Sequence, residues 1–355
     1  MFVSILRWCE HIKIFMRKRD ILSLQIEELA LELKGEPNYR SKQIYKWLHQ
    51  NLVTTFEEMT NLPKSLIKRL NEEFFIYVPK VSKRHLSQDG TIKYLFDFGE
   101  NVIVETVLMV NNYGNSICIS TQVGCKMGCT FCASHVGGWE KNLSIGQMLS
   151  QVYFAKRELK KINNLVLMGI GEPLDNYDNV LKFIYMISDE HGQNLSQRSI
   201  TLSTCGLVDK IYKLAEENLS ITLAISLHAP DDETRQKTMP IAKIHSMHSL
   251  FEVANYYFEK TGRRISYEYA MIDNVNDSES QARSLGEKLA GSNVHFNLIP
   301  LNQVTEANLK KATDQNIRRF SKSLEKFGIE VTIRRNQGTD INAACGQLRK
   351  VVGKS

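Results

Sequence analysis

The 355-residue sequence predicts an α/β fold: an incomplete (βα)6 barrel with a small N-terminal helical domain and a β-hairpin extension. Three observations predict it. Up to about residue 75, apolar side chains recur at helical spacing; the stretch that follows is rich in β-branched and aromatic residues cut by turn signals. From residue 116 onward, short apolar runs alternate with amphipathic stretches of helical length. A chain of this length with 43% hydrophobic residues can bury a full core.

At the amino end, MFVSILRWCEHIKIF looks faintly like a signal, but Arg7, Glu10, His11 and Lys13 break the apolar run well short of a spanning length. Met16 precedes Arg17–Arg19 and an ordinary helical sequence, so the first fifteen residues read as an upstream start choice. The helical domain, residues 1–75, follows Leu22, Ile26, Leu29 and Leu33, then Ile44, Trp47, Leu48 and Leu52, then Leu62, Leu66 and Leu70. Residues 76–112 form the hairpin linker, with turns at Asp89-Gly90, Gly99–Asn101 and Asn111–Asn115.

Residues 113–355 carry seven apolar runs: Ser116–Ser120, Asn164–Gly169, Ser199–Ser203, Ile221–Leu227, Ser266–Met271, His295–Ile299 and Glu330–Ile333. Six make the barrel, and the last is an added edge strand. Active-site residues of such folds gather where strands end. Here GCKMGCTFCAS follows the first run, GIGEP the second, Ser203-Thr204 ends the third, Ser226–His228 the fourth, and Pro300–Asn302 the sixth. Five polar or glycine-bearing strand ends on one rim point to a site.

The chain has seven cysteines, an odd number, and three of them crowd into Cys125, Cys129 and Cys132, too close for an efficient disulfide framework. A reducing, cytoplasmic setting follows. Thiolates in this number bind zinc or an iron–sulfur cluster. Zinc would need His135 as a fourth ligand in one tight loop, whereas zinc sites usually split their ligands into two distant pairs. A [4Fe–4S] cluster held by three cysteines leaves one iron open to chelate a substrate.

The Cys-x3-Cys-x2-Cys spacing, with Phe131 before the last cysteine, resembles the hallmark of the radical S-adenosylmethionine (SAM) superfamily. There the open iron takes the amino and carboxylate groups of SAM, and an electron splits SAM into methionine and a 5′-deoxyadenosyl radical. GIGEP resembles the superfamily's Gly-Glu element, with Gly171 admitting close backbone approach and Glu172 accepting from the SAM ammonium. VETV, SICISTQVGC, SLHAP, NLIPLN and DINAACGQL narrow the resemblance to bacterial radical SAM adenine methyltransferases of 23S rRNA, over about Leu22 to Val351.

That resemblance implies methylation of carbon 2 of adenine 2503 in 23S rRNA and, in the dual-specificity type, of adenine 37 of tRNAs. It implies two SAM per turnover: one methylates Cys345, and the other yields the radical that takes a hydrogen from the S-methyl group. The methylene radical adds to adenine, Glu105 removes the ring proton, and Cys118 attacks Cys345 to release product as a disulfide forms. Ser203, Ser226, Leu227, His228 and Asn302 match SAM-contacting positions. A flavodoxin- or ferredoxin-type electron donor and a monomeric, membrane-free protein complete the expectation. A net charge of +6 suits a phosphate-rich partner, and the helical domain, with Arg40, Lys42, Lys46, Tyr39, Tyr45 and Trp47, is the candidate RNA-engaging module.

Cys205, Ala242 and Asn342 stand where these relatives commonly have Ser, Asn and Asp. Two rivals remain at this level: the sister activity at carbon 8, whose cluster motif and Gly-Glu-Ala differ from Thr121–Cys125 and Glu172-Pro173, and a non-catalytic, zinc-stabilised RNA-binding protein.

Overall fold

The computed structural model describes residues 18–110 and 114–350; the amino-terminal stretch and the centre of the turn after residue 110 lie outside the described residues. β1 (Arg19–Asp20) leads into α1 (Ile26–Glu32), α2 (Tyr39–His49) and α3 (Lys64–Glu73), and the unit ends in β2 (Phe74–Phe75), which pairs in parallel with β1. The periodic residues Leu29, Ile44, Leu48, Leu66 and Leu70 are all buried, and they share one apolar cluster with the barrel. The helices therefore pack on the barrel. His49 of α2 and Glu28 of α1 reach Tyr153 and Lys182 at 2.6 Å.

The next stretch forms β3 (Lys80–Leu86), β4 (Ile92–Asp97) and β5 (Ile103–Met109), an antiparallel meander with a bulge between Val81 and Lys83. It does not stand apart as a linker. β5 pairs antiparallel with β6 (Ser116–Cys118), so the extension and the barrel share one ten-stranded sheet. β7 (Gln122–Val123) and β8 (Lys141–Asn142) pair with each other and pinch off the cysteine loop. Gly124 at this neck has φ +75°, and a Cβ there would lie 1.8 Å from Gly138 O, so only glycine fits.

Beyond β8 the alternation runs α4 (Ile145–Leu159), β9 (Asn164–Leu167), α5 (Tyr177–Ser188), β10 (Ile200–Thr204), α6 (Val208–Glu216), β11 (Thr222–Ser226), α7 (Asp232–Thr238), α8 (Met247–Thr261), β12 (Ile265–Met271), α9 (Glu279–Leu289), β13 (Val294–Pro300), α10 (Asp314–Glu325) and β14 (Glu330–Ile333). Ser144 starts α4 with a capping box, its Oγ accepting from Gln147 N while Gln147 Oε1 accepts from Ser144 N. Strands β6, β9, β10, β11, β12 and β13 are parallel in that order, with β14 parallel on the outer edge. The expected incomplete barrel and added strand are present. Among the described residues β14 and β3 are the two ends of the sheet and do not pair, so the sheet does not close on itself.

Candidate active site

All five strand ends singled out from the sequence converge on one cavity, lined among others by Cys125, Cys129, Cys132, Glu172, Ser203 and Ser226. Burial pushes the Cys125 thiol up to about 12 and raises Cys129 further in the same direction. A thiolate is costly in such a place unless cations meet it. Among the described residues no three His, Cys, Asp or Glu side chains gather as they would around a single ion. His135 turns away, its Nδ1 against Cys132 O at 2.5 Å, and does not line the cavity.

Gly171 (φ +110°) lines the cavity, and a Cβ there would meet Gln122 Cβ at 2.6 Å. Gln122 Oε1 accepts the Glu172 N–H at 2.9 Å. Glu172 is buried, which raises its pKa, and its two oxygens accept from Leu174 N at 3.0 Å and Cys205 N at 2.7 Å. It thereby ties the end of β9 to the end of β10. His228, in the left-handed region (φ +53°), has burial push its pKa down to about 3. Its Nδ1 accepts from Ala270 N at 2.8 Å, which leaves Nε2 as the protonated nitrogen, and its ring meets Phe131 edge-to-face. Leu227 does not line the cavity; its side chain is in the core, its N–H donates to Glu268 O and its carbonyl accepts from Arg235.

A second cavity adjoins the first and contains Cys118, Arg334 and Arg335; Cys345, Asn302 and Glu268 border both. The segment carrying Cys345 is stitched in place along its length. Asn302 Nδ2 donates to Cys345 O at 3.0 Å, Ala133 N to Gly346 O at 2.7 Å, and Ser134 Oγ to Leu348 O at 2.7 Å. Glu105 lines neither cavity: it lies behind this segment, accepting from Arg349 N at 2.9 Å and paired with Lys93.

Sequence reasoning missed Glu268, Lys93 and Arg235. Each is a charged residue buried to at least nine-tenths. For Glu268 and Lys93 the available signal was a single charge inside an apolar run, SYEYAM and IKYLF; Arg235 stands in the polar run DDETRQKT, which offered none. Across the sheet, Ser226, Glu268, Asn297 and Thr332 are register partners and make a polar row. In the helical unit, Tyr45 is fully buried and Trp47 donates to Asn61, while Tyr39 stays exposed beneath the Arg40 guanidinium.

Residues 119–283 match the radical SAM superfamily, and residues 20–76 match the ribosomal RNA large subunit methyltransferase N-terminal domain. A crystal structure of a radical SAM methyltransferase from Sphaerobacter thermophilus is similar over 94% of this chain and 99% of that one, at 38% identity and a TM-score of 0.90. Fold and site together define a radical SAM enzyme. A probable dual-specificity RNA methyltransferase RlmN from Lachnoclostridium phytofermentans is 52% identical over 337 residues, covering 94% of this chain and 95% of its own length. Its counterpart from Clostridium tetani is 51% identical, covering 93% and 96%. The chain belongs to the RlmN family of radical SAM dual-specificity RNA methyltransferases.

The superfamily implies a [4Fe–4S] cluster and SAM, and the residues present fit both. Three partly buried thiols face one cavity without forming a single-ion chelate among the described residues. Beside them Asn302 Oδ1 is a buried acceptor with no donor among the described residues, which a bound molecule can satisfy. Among the described residues no helix is long and apolar enough to cross a membrane.

Proposed function

We propose that this enzyme methylates carbon 2 of adenine 2503 in 23S rRNA and of adenine 37 in tRNA, with Cys345 as the methyl carrier. One observation carries the reading: Cys345 stands on the partition between two cavities, with three cysteines on one side and Cys118 with Arg334 and Arg335 on the other. Bound by Cys125, Cys129 and Cys132, a cluster with SAM supplies a methyl group and a one-electron route to a carbon radical, two SAM being used per turnover.

The chain's own residues do the rest. Gly171, Glu172, Ser203, Ser226, His228 and Asn302 hold SAM; Leu227, whose polar backbone groups are occupied, contributes from behind. Arg334 and Arg335 attract the phosphates beside a splayed adenine. Cys345 takes the methyl carbon. Once the radical adduct has given up one electron to the one-electron route, Glu105, freed from its Arg349 contact, takes the ring proton. The Cys118 thiolate then displaces carbon from the Cys345 sulfur, closing a disulfide while that carbon gains a proton and leaves as methyl. Residues up to about 75 engage RNA. The protein works as a monomer and receives electrons from a flavodoxin- or ferredoxin-type donor.

The test is anaerobic incubation with SAM, a reductant and either deproteinised 23S rRNA or tRNA, followed by mass spectrometry that assigns the modified ring carbon. Label at carbon 2 in both RNAs supports the reading. Label at carbon 8, or in neither RNA, overturns it.

A further inference from the structure

Arg235 of α7 is fully buried, yet among the described residues it makes no salt bridge with a carboxylate. Its donors go to main-chain oxygens instead. Nη2 donates to Cys205 O at 2.6 Å and Ser226 O at 3.3 Å, Nε to Leu227 O at 3.3 Å, and Nη1 to His245 O at 3.5 Å. Three of these acceptors terminate β10 and β11, the strand ends that wall the first cavity. The same helix grips the cysteine loop, because Thr130 N donates to Thr238 O at 2.9 Å. Cys205, one of the residues Arg235 holds, packs in one apolar cluster with Cys129.

Asp232, one turn earlier on the same helix, acts on Arg235 only through space. A buried cation with no carboxylate in contact is expensive, and carbonyl dipoles compensate it only in part. A [4Fe–4S] core with three thiolate ligands is net negative in both of its redox states, and nearby charge sets its potential. We propose that Arg235 is a positioning residue for the cofactor pair, holding the β10 and β11 rims for SAM while supplying the positive charge that the cluster answers. This rests on the reading that Cys125, Cys129 and Cys132 hold a cluster.

The test uses the full chain, reconstituted anaerobically, as wild type, R235K and R235Q. Iron content, the cluster midpoint potential by EPR-monitored titration, and SAM affinity from the change in the EPR signal are read separately. R235Q with full iron should show a midpoint moved to more negative potential, since the reduced cluster loses its counter-charge. R235K keeps the charge but cannot fork to four carbonyls, so its midpoint stays while SAM binding weakens about tenfold. An unchanged midpoint in iron-loaded R235Q overturns the proposal. If R235Q takes up no iron, R235K decides: wild-type SAM affinity overturns it, and weakened affinity at an unmoved midpoint supports it. A wild-type chain that binds no cluster overturns the underlying reading as well, and that control separates the two failures.

Discussion

Lys93 Nζ lies 2.9 Å from Glu105 Oε1, with the two side chains 9% and 8% exposed, and this one pair holds both ends of the Cys345 segment. Nζ also donates to Asn342 O at 3.0 Å, and Glu105 Oε2 accepts from Arg349 N at 2.9 Å. The antiparallel extension adds two more ties, Ser87 Oγ to Asp340 and Gly338 N to Asp89. The extension is thus the cradle of the segment that bears Cys345.

Removing one partner leaves the other charge buried and unpaired, which costs ~3–5 kcal/mol. Lys93→Met should therefore lower unfolding stability by about that much in denaturant titrations, and speed amide exchange across residues 338–349. Adding Glu105→Leu to Lys93→Met should recover part of the stability, because it removes the unpaired buried carboxylate, while the ties at Asn342 O and Arg349 N stay lost and the fast exchange across residues 338–349 persists. A Lys93→Met chain with wild-type stability and exchange would show that the pair does not hold the segment.

Cys118 and Cys345 line the same cavity, and the proposed release step needs both sulfurs. Cys118→Ala should accumulate protein covalently bound to RNA, seen as a slow band on denaturing gels. Cys345→Ala should give neither band nor product. Free product from Cys118→Ala would remove Cys118 from the release step.

Gly171→Ala tests the shape of the SAM wall. The positive φ and the 2.6 Å approach to Gln122 Cβ mean that the new methyl must push Gln122 off the Glu172 amide. Backbone strain of this sort costs ~1–3 kcal/mol. SAM affinity measured by equilibrium dialysis should fall about tenfold or more, with iron content unchanged. Wild-type affinity would place SAM away from this turn.

His49 sets a pH dependence far from the chemistry. It is fully buried against the Tyr153 hydroxyl, and burial pushes its pKa from 6.5 down to about 3. The folded state thus refuses a proton that the unfolded chain accepts. Its contribution to stability is complete above pH 6.5 and is lost as pH falls toward 3, with a slope of about 1.4 kcal/mol per pH unit. His49→Gln should flatten the stability profile across that window by about this slope. A parallel profile would show that His49 is protonated in the fold.

The amino-acid order alone determined the features that depend on near neighbours. Cysteine spacing, the glycines of GIGEP and the apolar runs are local patterns, and the runs announced both the parallel strands and the rim on which their ends meet. What only tertiary structure decided are the pairings between residues far apart in the chain: Lys93 with Asn342, Glu105 with Arg349, Arg235 with the ends of two strands. No local propensity encodes them. They exist because burying a charge is tolerable only where folding brings a partner to it, and that partner is chosen by how the sheet closes, not by where the residue stands in the sequence.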